Sequence, residues 1–116
     1  MRMWMINPKI LCKKHLTGEH VEMHMFVGSI NKGKSIAGHA IMNQAEPQKL
    51  MQRHDELAAE MLARGYKHDS PLIEPQLEKL PRGTLLARVN KKAALADLLA
   101  RCPECTKRYE TLNENN

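Results

Sequence analysis

Apolar side chains recur at helical spacing in two long parts of the chain. Asn7 followed by Pro8 is typical of a helix start, and the segment KILCKKHLTGEHVEMHMFVGSI then predicts a helix to about Ile30. The segment EPQKLMQRHDELAAEMLARG predicts a second helix that ends at Gly65, a common stop residue. Its apolar face is predicted to consist of Leu50, Leu57, Met61 and Leu62.

The last third of the chain carries clear helix boundaries of its own. Asn90 predicts the cap of a third helix, KKAALADLLAR, which stops before Pro103, and a short final helix is predicted over residues 104–112. Residues 37–43 fit either a short helix or a buried connector. Residues 66–83, rich in proline, predict an irregular connection of unusual length. We therefore predict an all-α fold of three main helices joined by long irregular connections.

Length, charge and cysteine content narrow the class of protein. A chain of 116 residues is enough for one core, so we expect a single compact domain over residues 1–116. Eighteen basic against 13 acidic residues give a net charge of +5 and favour an anionic partner, nucleic acid first and an acidic membrane surface second. The odd count of three cysteines argues against a disulfide framework, and no N-terminal apolar run suits a signal peptide or a membrane span. We expect a cytoplasmic protein.

Two residue pairs have the spacing of metal ligands. His20 and His24 lie at i and i+4, but Glu22 follows two residues after the first histidine instead of directly after it, as a zinc protease motif requires. Cys102 and Cys105 form a CxxC pair without a second pair elsewhere in the chain, which favours structural thiols. The sequence therefore predicts no metal site and no cofactor.

The segment GSINKGKS, Gly28 to Ser35, matches the pattern of a phosphate-binding loop. Such a loop needs a buried strand before it and a helix after it, whereas the preceding residues here predict a helix. Nucleotide binding therefore stays an alternative. The favoured interpretation is a flexible loop whose Lys32 and Lys34 contact the phosphates of a nucleic acid.

One face of the first predicted helix carries an unusual polar stripe. His15, Glu19, Glu22 and Phe26 fall at i, i+4, i+7 and i+11. The stripe fits either a solvated helix face or the wall of a site, and the residues by themselves leave both interpretations open.

Four segments carry a resemblance to a known family: HLTGEHVEMHMFVG, GHAIMNQ, RHDELAAEMLARGY and RCPECTKRY, in this order. With them the chain resembles the pyrimidine-dimer DNA glycosylases, the phage-type endonuclease V family, most strongly over residues 15–66. The resemblance implies an all-helical enzyme that excises UV-damaged pyrimidines and then nicks the abasic site as a lyase, without a metal. It also implies double-stranded DNA carrying UV lesions or abasic sites as the partner. A monomer with no membrane partner is expected.

The resemblance assigns roles to individual residues. The family's catalytic glutamate falls on Glu22, and the same register places its nucleophile, a free N-terminal amine, on Met1. Because Arg2 is large, we expect Met1 to be retained, and α-amines titrate near about 7.7 to 8.0, so part of the amine is neutral and nucleophilic. Arg2 resembles a family arginine that contacts DNA near the lesion. His15 matches a family histidine on the catalytic stripe, and Glu19 precedes Glu22 by one turn.

The chain departs from the family pattern in two places. Val21 and Met25 stand where the phage member has DNA-binding arginines, so the phosphate contacts must come from other basic residues. Candidates by charge are Lys13, Lys14, Lys32, Lys34, Arg88, Lys91 and Lys92. The aromatic C-terminus of the family is reduced to Tyr109, which leaves fewer side chains to stack on a damaged base. A non-catalytic DNA-binding protein of the same fold is the alternative from another functional class.

Overall fold

The structure, a computed structural model, describes residues 1–114 and contains no strand within them. Its α-helices are α1 (Lys13–Asn31), α2 (Ala37–Ile41), α3 (Leu50–Ala63), α4 (Arg82–Leu85), α5 (Lys91–Arg101) and α6 (Pro103–Glu114). Single turns of 3-10 helix lie at Pro8–Ile10, Pro47–Lys49 and Leu77–Lys79. The all-α prediction is confirmed. The final helix predicted over residues 104–112 is α6, and its 12 residues make it as long as the 11-residue α5.

The first predicted helix is interrupted near its start. The Asn7 side chain accepts a hydrogen bond from the backbone two residues on, as a cap does, but the turn that follows ends at Ile10. Leu11 and Cys12 are extended, and α1 begins after them. The prediction of a continuous helix here is wrong because the Leu11 carbonyl accepts a hydrogen bond from Arg64 Nη2 at 2.8 Å instead of continuing a helical ladder.

Helices α1 and α3 pack against each other and form the centre of the core. Their buried side chains are Leu16, Met23, Phe26, Val27 and Ile30 of α1 and Leu50, Leu57 and Met61 of α3. Leu62, predicted on the same face as these leucines, is instead 58% exposed, because it lies about 120° around the helix from Leu50. Helix α6 covers another side of the core, against α5 and the turn at Pro8–Ile10.

The predicted helix boundaries beyond α1 hold. Gly65 has a φ of +83° directly after α3, a left-handed conformation that ends a helix. Asn90 caps α5 by accepting a hydrogen bond from the backbone N–H of Ala93 at 3.0 Å. Helix α2 resolves the ambiguous stretch 37–43 as a short helix. Among the helices of residues 1–114, none has the length and apolar character needed to span a membrane.

Candidate active site

The N-terminal segment, residues 1–6, forms neither helix nor strand and is held in place by hydrogen bonds of its backbone. The N–H of Met3 donates to the carbonyl of Gln44 at 2.8 Å. The N–H of Trp4 donates to Glu19 Oε2 at 3.1 Å, and the carbonyl of Ile6 accepts from Arg53 Nη1 at 2.7 Å. Because these bonds come from successive parts of the segment, its register along α1 is set.

Glu19 forms a buried, two-pronged ion pair with Arg53. The Arg53 Nε and Nη2 atoms donate to Glu19 Oε2 and Oε1 at 2.7 and 2.8 Å, and each residue is only 1% exposed. Burial of two charges is tolerated because the pair satisfies both groups at close range. Since both Glu19 oxygens are occupied, its contribution to the site is to hold the N-terminal segment through Trp4.

Glu22, one turn further along α1, lies beside the start of the chain. Its Oε2 accepts a hydrogen bond from the backbone N–H of Arg2 at 3.1 Å. The carboxylate is therefore one residue from the α-amine of Met1. Glu22 and Met1 both line an open cleft of about 440 Å³. The complete lining is Met1, Arg2, Trp4, Lys14, His15, Gly18, Glu19, Glu22, Gln44 and Arg101.

Arg2 is held at the edge of this cleft by two contacts. Its Nη1 donates to Asp97 Oδ2 at 2.7 Å, and its guanidinium lies 3.8 Å from the centre of the Trp4 ring. Asp97 also accepts from Arg101 Nη2 at 2.6 Å. Hydrogen bonding from Arg101 is the largest influence lowering the pKa of the Asp97 carboxyl, with a further contribution from Arg2. The two arginines and Lys14 give the cleft a basic rim.

His15 lies in the same cleft, but one of its ring nitrogens is already engaged. Its Nδ1 is 3.3 Å from the Cys12 sulfur and 3.6 Å from the Cys105 sulfur. Burial, followed by the positive charges of Lys14 and Arg101, lowers the pKa of His15. The imidazole therefore favours its neutral form.

Lys32 and Lys34 lie away from the cleft. Both are exposed in the turn after α1, and Lys32 is ten residues beyond Glu22, which corresponds to about 15 Å along a helix. Residues 28–35 also do not have the structure of a phosphate-binding loop, because Gly28 to Asn31 are the last turn of α1 and no strand precedes them within residues 1–114. The strand–loop–helix arrangement that nucleotide binding through Gly28–Ser35 requires is therefore not formed by this segment.

The tertiary structure joins residue pairs that were judged separately in the sequence. Cys12 and His15 meet Cys102 and Cys105, and all four ligand atoms lie within 4.8 Å of one another. Cys102 and Cys105, interpreted from the sequence as structural thiols without a second CxxC pair, therefore have two further potential metal ligands beside them. A C-x₂-H pair at residues 12–15 was the signal that could have completed the set. A second group brings together His20, His54 and His68.

Comparison with known proteins gives one match. A family model described as pyrimidine dimer DNA glycosylase matches residues 1–74. This range contains the N-terminal segment, α1 and α3, and with them Met1, Glu22 and the ion pair of Glu19 with Arg53. Neither a curated protein nor a solved structure matches the chain. Helices α5 and α6 lie beyond the matched range.

Proposed function

This chain belongs to the pyrimidine dimer DNA glycosylase family, a family of DNA repair enzymes, and from that premise we propose its mechanism. The α-amine of Met1 is the nucleophile and Glu22 is the catalytic carboxylate. The enzyme excises a UV-induced pyrimidine dimer and then nicks the strand at the abasic site. Its partner is double-stranded DNA carrying such lesions.

The contact between Arg2 and Glu22 is the observation that carries this proposal. A hydrogen bond of 3.1 Å from the Arg2 N–H holds the carboxylate one residue from the α-amine. The bonds of Met3 and Trp4 prevent the segment from sliding along α1. An amine and a carboxylate that line the same open cleft provide the nucleophile and the proton carrier that this chemistry needs.

The reaction begins when the neutral amine attacks C1′ of the damaged nucleotide. A bond forms between nitrogen and carbon while the glycosidic bond breaks, and the base leaves with that electron pair and takes up a proton. Opening of the sugar ring gives a protonated imine, which is a Schiff base between Met1 and the sugar. Loss of a proton from C2′ then expels the 3′ phosphate oxygen, and the strand is cut.

Glu22 serves two steps of this sequence. As a carboxylate it stabilises the positive charge that develops on the sugar when the base leaves. It accepts a proton from the attacking amine, gives that proton to O4′ when the sugar ring opens, and, as a carboxylate again, accepts the proton lost from C2′. Arg2, Lys14 and Arg101 at the rim supply positive charge for the phosphates that flank the lesion.

Trapping with borohydride tests which amine is the nucleophile. Untagged protein, whose intact mass shows that Met1 is retained, is incubated with an abasic duplex and borohydride, and the crosslinked peptide is mapped. We expect a covalent complex on the Met1 amine. Lys14, the lysine that lines the cleft, is the rival nucleophile, so Lys14→Arg is the matched control and should be trapped as well as the wild type.

Selective acetylation of the α-amine completes the test, because an amide has no basic lone pair and should abolish both base excision and nicking. A crosslink on Lys14, or full activity after acetylation, contradicts the role of Met1. Binding of the damaged duplex with no crosslink and no excision would instead identify a non-catalytic DNA-binding protein of the same fold.

A further inference from the structure

Four potential metal ligands meet where the N-terminal and C-terminal parts of the fold are in contact. Cys12 and His15 lie at the start of α1, and Cys102 and Cys105 lie at the junction of α5 and α6. Their three sulfurs and the His15 nitrogen lie within 4.8 Å of one another. The three thiols are free and buried.

Three of the six separations between these atoms are close to the edges of a tetrahedron around zinc. With zinc–sulfur bonds of about 2.3 Å and zinc–nitrogen bonds of about 2.0 Å, sulfur–sulfur edges are about 3.8 Å and sulfur–nitrogen edges about 3.5 Å. The Cys12 and Cys102 sulfurs are 3.9 Å apart. The His15 Nδ1 lies 3.3 Å from the Cys12 sulfur and 3.6 Å from the Cys105 sulfur.

The surrounding backbone suits thiolates. The N–H of Cys12 donates to the Cys105 sulfur at 3.2 Å, and the N–H of Cys105 donates to the Cys102 sulfur at 3.4 Å. Such donors favour the negative charge of a thiolate ligand. The spacings C-x₂-H and C-x₂-C are typical of structural zinc sites. We propose that Cys12, His15, Cys102 and Cys105 bind a structural zinc ion.

A zinc ion here ties α5 and α6 to the start of α1. Helices α5 and α6 lie outside the range matched by the family model, yet Arg101 of α5 and His15 of α1 both line the cleft. Because four protein ligands fill a tetrahedral site, the ion has no open position for substrate. Its role is to fix this wall of the cleft.

Cobalt reconstitution tests the site. Untagged protein is stripped of metal under reducing conditions and titrated with Co²⁺. We expect a saturable sulfur-to-cobalt charge-transfer band, which reports the thiol ligands, and its loss on addition of Zn²⁺. Cys105→Ser should lose most of the charge-transfer intensity. His39→Gln, outside both ligand groups, is the matched control and should keep the full spectrum.

Absence of a charge-transfer band in folded wild-type protein overturns the proposal, and so does a band of unchanged intensity in Cys105→Ser. Because the wild-type titration needs no substitution, a variant that fails to fold does not decide the result. The readout also needs no DNA, so it stands apart from the test of Met1.

In a separate cluster of histidines, one ring nitrogen of His54 lies within hydrogen-bonding distance of three other polar atoms. His54 Nε2 lies 3.1 Å from His20 Nε2, 3.3 Å from His68 Nε2 and 3.1 Å from the carbonyl oxygen of Ser70. The other nitrogen of His54 lies 3.0 Å from Asp55 Oδ1, which favours a proton on that nitrogen. In the neutral ring the lone pair of Nε2 then faces the Ser70 oxygen, an arrangement that a bound cation relieves.

We infer that His20, His54 and His68 bind a second Zn²⁺, with the Ser70 carbonyl adjacent. Tetrahedral zinc with nitrogen ligands has edges of about 3.3 Å, close to the two observed nitrogen separations. Asp55 would orient His54, in the way that carboxylates commonly orient zinc-bound histidines. The ion would join α1 and α3 to the connection after α3.

Zinc counting separates the two sites. Metal-free wild-type protein titrated against a chromophoric zinc chelator should take up two equivalents, and His68→Gln should take up one while keeping the cobalt charge-transfer band. Cys105→Ser is the reciprocal control, since it retains the histidine ligands. Uptake of a single equivalent by folded wild-type protein, or unchanged uptake by His68→Gln, overturns the histidine site. A doubly protonated His54 would then be the metal-free explanation of the contacts.

Discussion

The backbone N–H of Arg2 donates a hydrogen bond to Oε2 of Glu22 over 3.1 Å. This contact joins the start of the chain to the middle of α1. Trp4 makes a second attachment to α1 through Glu19, and Met3 is hydrogen-bonded to Gln44 beyond α2. The position of the Met1 amine therefore depends on the register of the whole N-terminal segment.

Glu22→Gln should lower the rate of nicking at an abasic site by about 10²- to 10⁴-fold, because glutamine neither stabilises a cation as a carboxylate does nor accepts a proton. Affinity for the same duplex should change by less than a few-fold. Single-turnover cleavage and fluorescence anisotropy measure the two effects. Glu78→Gln, at an exposed position, is the matched control. Wild-type cleavage by Glu22→Gln would remove this carboxylate from the mechanism.

Glu19→Gln should destabilise the fold by about 3–5 kcal/mol, because it removes the buried, two-pronged counter-charge of Arg53 and leaves the guanidinium only the half-exposed carboxylate of Glu56. Replacing both residues, as in Glu19→Gln with Arg53→Met, should recover part of that loss. Denaturant unfolding of the two variants gives the comparison. If Glu19→Gln unfolds at the same denaturant concentration as the wild type, the ion pair does not stabilise the fold.

Affinity for DNA should fall steeply with salt, because each phosphate contact releases counterions. Lys34→Ala should reduce the slope of log affinity against log salt by about 0.9 if Lys34 contacts a phosphate, without altering single-turnover cleavage at saturating protein. Lys107→Ala, an exposed lysine on α6, is the comparison. An affinity that is independent of salt contradicts the electrostatic binding mode.

The contribution of Asp97 to the stability of the fold should depend on pH. Since Arg101, and then Arg2, hold the pKa of this carboxyl below its ordinary value, its stabilising effect is present above the unfolded pKa of about 3.9 and is lost as pH falls through the folded pKa. Wild-type protein should therefore melt at a higher temperature than Asp97→Asn at pH 6, and the difference should shrink and then vanish as the pH falls through the folded pKa of Asp97. A difference that persists in acid would point to packing instead of charge.

Local rules in the sequence determined the helical class and most of the helix ends. Gly65 stops α3 because glycine adopts a positive φ at little cost, and Asn90 caps α5 because its side chain accepts a backbone N–H. The spacing of His15, Glu19 and Glu22 placed all three along one cleft for the same reason, since helical periodicity is a local property.

The tertiary structure alone decided which distant groups meet. Glu19 forms its ion pair with Arg53, which is 34 residues away in the sequence. The Cys12 sulfur lies close to the sulfur of Cys102, which is 90 residues away. Neither partner is encoded in the pattern around the other residue. The break after Ile10 likewise arises because Arg64 binds the Leu11 carbonyl. Buried polar groups take whatever partner the packing of the helices brings within reach, so their pairing and their chemistry depend on the folded chain as a whole.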